Sequence, residues 1–110
     1  MPSLFLRLSI GGTGNLGPGK ARLLELVEET GSIRAAASKM KLSYRRAWLL
    51  LADIEKIFGT VLERRTGGKA GGGAALNARG RDIVRHFRLA ERKAGRAIKS
   101  ELDALNSLKG

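Results

Sequence analysis

Among its 110 residues the chain has no cysteine, one histidine, two prolines and one tryptophan. Without Cys, and with His86 as the lone imidazole, neither a zinc or iron-sulfur site of the usual donors nor a thiolate nucleophile can be assembled. No metal or other cofactor is therefore expected. Acidic residues are scarce too: 10 Asp and Glu stand against 21 Lys and Arg, a formal net charge of +11. The longest apolar runs fall far short of the roughly 20 residues that span a bilayer. Met1 to Ile10 places no basic stretch ahead of its apolar residues, so neither a signal peptide nor a membrane partner is expected. The missing cysteines agree with a reducing, cytoplasmic setting.

What is present points to one domain. A globule this size buries roughly 65% of its unfolded surface, enough to fold without disulfide or metal. The positive excess calls for an anionic partner, nucleic acid foremost. It is also patterned. Arg34, Lys39, Lys41, Arg45 and Arg46 follow one another with no acid between them, directly after a segment carrying Glu25, Glu28 and Glu29. A basic run is often a solvated face, but two basic blocks flanking an acidic helix imply a surface built for an anion.

Leu4, Leu6, Leu8 and Ile10 alternate with Phe5, Arg7 and Ser9, the period of a strand with one buried face. The glycine-rich segment Gly11 to Gly17 then breaks it. Pro18 suits a first helical position, and the stripe Leu23, Leu24, Val27 predicts a helix to Thr30, stopped by Gly31. Ser32 is an N-cap candidate for a second helix over Ile33 to Met40, and Ser43 for a third from Tyr44 to about Phe58. Val61 to Thr66 and Ala74 to Leu76 read as a hairpin with a glycine-rich tip, after which Asn77 caps a last helix. Its apolar positions Ile83, Phe87, Ala90, Ala94, Ile98, Leu102 and Leu105 recur at nearly the helical period, giving a nearly straight helix with one sticky stripe. From Ala78 to Leu108 that helix would be about 46 Å long, too long for the rest of the chain to cover. A twin helix is expected on it, through Phe87, Ala94, Ile98, Leu102 and Leu105; a tail folded back on its own chain is the alternative. The expected division is a domain over residues 1–76 and a dimerisation helix over 77–110.

Ala36, Met40, Leu42, Ala47 and Leu50 fall where two helices of a helix-turn-helix must be apolar to cross, with Ala37 as the small residue at the crossing. The hairpin adds a wing, and the strand Leu4 to Ile10 is expected to join it as a third strand. The fold class is mainly α with a small β-sheet: a winged helix-turn-helix with a long C-terminal dimerisation helix. The string from Leu16 through SYRRAW (Ser43 to Trp48), ERRTGG (Glu63 to Gly68) and GGGA (Gly71 to Ala74) to Val84 resembles the N-terminal DNA-binding domain of the molybdate-dependent ModE regulators, and more distantly the LysR-type helix-turn-helix. The resemblance implies a dimeric operator-binding regulator. Fuller relatives carry C-terminal domains for molybdate or tungstate. With none expected in this chain, a separate oxyanion-sensing protein is a candidate partner. Two residues depart from the pattern: Lys41 stands where the turn often has glycine, at a cost of about 1 kcal/mol for a left-handed backbone, and Asn77 stands where threonine is usual.

With Ala47 at the centre of the buried stripe, Arg45, Leu49, Ala52 and Lys56 point away from it. Arg45 is the expected base reader, its fork matching guanine O6 and N7, and Leu49 suits thymine methyls. Tyr44, Arg46 and Trp48 lie on the flanks, where phosphate contact is expected; for Trp48, packing at the wing base is an equal reading. Ser32, Arg34 and Ser43 sit at helix starts that face phosphates. Arg64, Arg65 and Lys69 charge the wing. Against these stands an enzyme reading, because GNLGPGK (Gly14 to Lys20) satisfies G-x-x-x-x-G-K. Ala21 lacks the hydroxyl that holds magnesium there, and no later strand ends in a supporting Asp, so the segment reads as a tight loop opening the first helix. His86 has only Asp82 one turn away, and no catalytic constellation appears. The expectation is double-stranded DNA as partner, a homodimer and no enzyme, with an architectural, non-specific nucleic-acid binder as the alternative.

Overall fold

The computed structural model describes residues 3–65 and 73–110. Its elements run β1 (Leu8–Ile10), β2 (Gly14–Leu16), α1 (Pro18–Thr30), α2 (Ile33–Lys39), α3 (Tyr44–Phe58), β3 (Leu62–Arg65), β4 (Gly73–Leu76), α4 (Ala78–Ala97) and α5 (Lys99–Leu108).

The helix boundaries follow from capping chemistry. Pro18 opens α1 and Gly31, at φ +73°, closes it by donating its N–H to the Val27 carbonyl. The Ser32 hydroxyl accepts from Ala35 N–H at 3.0 Å, Ser43 from Arg46 N–H at 3.0 Å, and the Asn77 side chain from Gly80 N–H at 2.9 Å. Each satisfies one of the donors a helix start leaves unpaired. Between α2 and α3, Lys41 is the one non-glycine with positive φ among the described residues, at +58°. Its N–H donates to Ser38 O at 3.0 Å and Leu42 N–H to Ala37 O at 2.9 Å. These are the two bonds of a Schellman motif, with lysine at the position that favours glycine.

α1, α2 and α3 pack around Leu23, Leu24, Val27, Leu51 and Ile54, all at 0% exposure. Ala36, Ala37 and Ala47 are buried with them, and these small side chains let α2 and α3 cross closely. The wing β3–β4 is antiparallel, pairing Leu62 with Leu76 and Arg65 with Gly73. It is tied to the helices by Ala74 N–H donating to Gly31 O at 2.9 Å and by the buried Leu62, Ala74 and Leu76. α4 crosses this sheet at Gly80, where a Cβ would lie 2.6 Å from the Val61 carbonyl oxygen.

Four expectations are corrected. The N-terminal strand does not join the wing: β1 pairs with β2, Leu8 opposite Leu16 and Ile10 opposite Gly14, in a sheet of its own. Closing a hairpin on the nearest segment costs less chain entropy than reaching the distant wing. The glycine-rich segment is accordingly partly strand. The last helix is interrupted at Ile98, at φ −106° and ψ +10°, where Gly95 and the β-branched Ile98 are weak helix formers. Phe87, expected on the exposed stripe, is 1% exposed and fills the chain's own core, because α4 packs along α1 and the wing before it runs free. The tip residues 66–72, including Lys69, lie outside the described residues.

Candidate nucleic-acid interface

The cap at Ser43 and the buried stripe Ala47, Leu51, Ile54 fix the rotation of α3. Arg45, Leu49, Ala52 and Lys56 consequently point to solvent, and Leu49 is 46% exposed. Leu49 is thus an exposed leucine on the face that also carries Arg45 and Lys56, on a helix whose opposite side is packed in the core.

The flank of α3 toward the wing carries a ladder of stacked groups. The Arg34 guanidinium, in the first turn of α2, lies 4.3 Å from the centre of the Tyr44 ring. Tyr44 meets Trp48 edge to face at 6.0 Å, and Arg64 of β3 lies 4.3 Å over the Trp48 ring. Each cation–π contact contributes about 0.5–1 kcal/mol at such an exposed site. Together they hold α2, α3 and the wing strand in one register. Trp48 is thereby placed at the wing base, and Arg34, Tyr44 and Arg64, scattered in sequence, become one basic-aromatic surface. Arg65 ends β3, opposite Gly73.

Ion pairing divides the molecule. Among the described residues every salt bridge lies on α1, α4 or α5. Arg88 grips Glu25 with Nη2 at 2.8 Å and Nε at 3.1 Å, and Glu91 with Nη1 at 2.8 Å. Arg22 meets Glu25 and Glu29, Arg81 meets Glu28, Arg85 meets Asp82, and Lys99 meets Asp103. The Arg88 hydrogen bonds hold the Glu25 carboxyl below the usual carboxylate range, against the opposing effect of its partial burial. Glu25 in turn raises Arg88 further above its already high value. By contrast Arg34, Lys39, Lys41, Arg45, Arg46, Lys56 and Arg64 enter no salt bridge among the described residues. On α4, Arg81, Arg85 and Arg88 are paired while Arg79, Arg92, Lys93 and Arg96 enter no salt bridge among the described residues, and around α3 no cation is paired.

The segment Gly14 to Lys20 does not form a phosphate loop. Gly14–Leu16 is strand β2, Gly17 is the N-cap of α1, and the Lys20 amine donates to the Asn15 carbonyl at 2.9 Å.

A sequence model of the bacterial regulatory helix-turn-helix proteins of the lysR family matches residues 19–81, more than half of the chain. The chain belongs to the LysR-type regulatory helix-turn-helix family. The match spans α1 through the first turn of α4, so the family's helix-turn-helix is α2–α3 and its wing is β3–β4. Within the family the chain is similar to the transcriptional regulator ModE of Haemophilus influenzae, 42% identical over 76 residues that cover 68% of this chain and 30% of the relative. It is 34% identical over 96 residues to the DNA-binding transcriptional dual regulator ModE of Escherichia coli, covering 83% of this chain and 37% of that protein. It is 32% identical over 94 residues to the molybdenum-pterin-binding protein MopA of Rhodobacter capsulatus, with 84% and 36% covered. The chain spans about a third of the length of these curated relatives. No helix among the described residues is long and apolar enough to cross a membrane.

Arg45 and Leu49 are exposed, as the periodicity around Ala47 predicts, but the sequence pattern did not single out Arg7 and Lys20, which line a groove beside Arg46. The alternation of Leu6, Leu8 and Ile10 signals that Arg7 faces outward. Nothing local says that the arm lies against α3.

Proposed function

We propose that the chain binds operator DNA in the cytoplasm as a two-fold dimer, with α3 in the major groove. The observation that carries this is the distribution of charge: none of the seven basic side chains around α3 has an ion pair among the described residues, and the salt bridges that do form among them, made by Arg22, Arg81, Arg85, Arg88 and Lys99, all lie on α1, α4 and α5. Arg45 reads guanine through its fork, a contact worth roughly 1–3 kcal/mol of discrimination, and Leu49 meets thymine methyls. Arg34, Tyr44, Arg46, Trp48 and Arg64 hold phosphate and sugar together with the capped helix starts at Ser32 and Ser43, and Arg65 and Lys69 extend that contact along the wing.

Dimerisation uses the stripe that remains outside the core: Ala94 and Ile98, half-buried, then Leu102 and the exposed Leu105. An antiparallel pairing about Ala94 sets Ala90 against the partner's Ile98, and brings the partner's Leu102 and Leu105 to Phe87 and Ile83. There a groove of about 630 Å³ opens between β1, β2 and α4. That orientation also sets the basic α4 against α5 with its Glu101 and Asp103, whereas a parallel pairing would face α4 with α4. Recognition helices would then lie about 34 Å apart, one turn of DNA.

Titration of a palindromic and a random duplex at two salt concentrations tests the reading. Binding that weakens steeply with salt and favours one sequence supports a regulator. Equal binding to both duplexes supports the architectural alternative, and absent or salt-independent binding refutes DNA binding altogether. A monomeric mass by light scattering at micromolar protein would remove the dimer. Molybdate-responsive regulation is the finer reading suggested by the names of the relatives. A molybdate-dependent change in operator affinity would support it, and an unchanged affinity would confine the chain to DNA binding.

A further inference from the structure

The wing side of α3 is not its only basic flank. Arg46, Leu50 and Asp53, spaced by four and three residues, form one wall of a groove of about 360 Å³ on the opposite side of the helix. Phe5 and Arg7 from the N-terminal arm, Asn15 of β2 and the segment Gly17 to Lys20 at the start of α1 form the rest of its lining. Arg7, Lys20 and Arg46 enter no salt bridge among the described residues, and Lys20 has only the Asn15 carbonyl as partner. Among the described residues that line the groove, Asp53 is the one acid against three cations. The start of α1 adds to the same sign: its N-cap Gly17 brings no side-chain acceptor and its first turn no acid, so the positive end of the helix dipole is offset by neither. A concave surface lined by one sign of charge concentrates its field.

A helix seated in the major groove has a phosphodiester strand on each side, about 12 Å apart. The ladder from Arg34 to Arg64 covers one of them. We propose that Arg7, Lys20 and Arg46 form a second clamp, which holds the phosphodiester strand on the side of α3 away from the wing. The N-terminal hairpin is thereby part of the DNA-binding surface, and its separation from the wing sheet acquires a purpose: it positions Arg7 beside α3. The proposal rests on the DNA-binding reading above.

The test is the full chain with Arg7→Gln and Lys20→Gln together, compared with wild type by fluorescence anisotropy on duplex DNA across a salt series. Both side chains stand at the surface of the groove, and an unchanged melting temperature confirms an intact fold. Each lost phosphate contact lowers the slope of log affinity against log salt by about 0.9. The double variant is therefore expected to show a slope shallower by about 1.8 per protomer, with its preference for the palindromic over the random duplex retained. Ethylation interference should lose protection on the strand away from the wing and keep it on the other. A double variant with wild-type slope and affinity overturns the clamp while leaving DNA binding in place. A wild-type chain that does not bind DNA overturns both. Inorganic phosphate is the second probe: saturation of the groove by free phosphate in wild type only, with no change in DNA slope, would make it a free-anion site and likewise overturn the clamp.

Discussion

Lys41→Gly should make the protein more stable and its DNA binding weaker. Lys41 occupies the left-handed position of the Schellman motif that ends α2, at φ +58°, and the two backbone bonds that define the motif are both formed. A side chain in that region costs about 1–2 kcal/mol from contact of Cβ with the following carbonyl. Glycine removes that cost but brings roughly 0.5–1 kcal/mol of extra chain entropy to be lost on folding. The net gain is about 0.5–1 kcal/mol. With an unfolding entropy of about 2.1 cal/mol/K per residue, a chain of 110 residues should melt about 2–4 °C higher. Lys41→Ala separates the backbone from the charge: it keeps the left-handed strain, and so should not melt higher. Both variants lose one cation from the turn that precedes the recognition helix, so both should shallow the salt dependence of DNA binding by about 0.9 per protomer. Thermal unfolding by circular dichroism and anisotropy on duplex DNA give the two readings. A glycine variant that melts at or below wild type would refute the assignment of strain to this residue.

Arg45→Ala should relax base preference at one position per half-site while phosphate-driven affinity largely survives, as selection of bound sequences from random DNA would show; an unchanged preference would mean another side chain reads the base. Gly80→Ala should destabilise by more than 1 kcal/mol in denaturant titration, since its Cβ would stand 2.6 Å from the Val61 carbonyl oxygen and backbone cannot move aside cheaply. Glu25→Gln breaks a two-pronged contact with Arg88 and should cost about 1–2 kcal/mol at neutral pH. Because Glu25 titrates below its ordinary value of 4.5 when folded, its contribution is complete above the unfolded value and is lost as pH falls through the lowered folded one; the variant's unfolding free energy should therefore fall less on acidification. Phe87→Ala should cost about 3–5 kcal/mol of fold stability, whereas Leu105→Asp, at a residue 62% exposed, should keep the far-UV spectrum and shift the mass in light scattering to monomer.

Much of the architecture was legible because it is local. Ser32, Ser43 and Asn77 announce helix starts through side-chain oxygens that reach only three residues ahead. Pro18 and Gly31 mark boundaries by backbone conformation alone, and the periodicity around Ala47 set the outward face of α3. The charge pattern, acid on α1 and base on α2 and α3, was equally visible. These are properties of a residue and its near neighbours, and the sequence determined them.

Tertiary structure decided what depends on distance along the chain. The Arg34–Tyr44–Trp48–Arg64 ladder joins three elements, and no spacing rule links position 34 to position 64. Phe87 and Leu105 look alike on a helical stripe, but only the packing of α1 and the wing against the first half of α4 determines which is core and which is surface. The hairpin β1–β2 could have extended the wing by its pattern alone; closing on its neighbour was entropically cheaper, and the N-terminal arm so placed puts Arg7 on a groove with Lys20 of α1 and Arg46 of α3. Sequence fixes the sign and the local geometry of each group, while the fold fixes which groups share a surface, because that depends on long-range packing to which each residue contributes only a part.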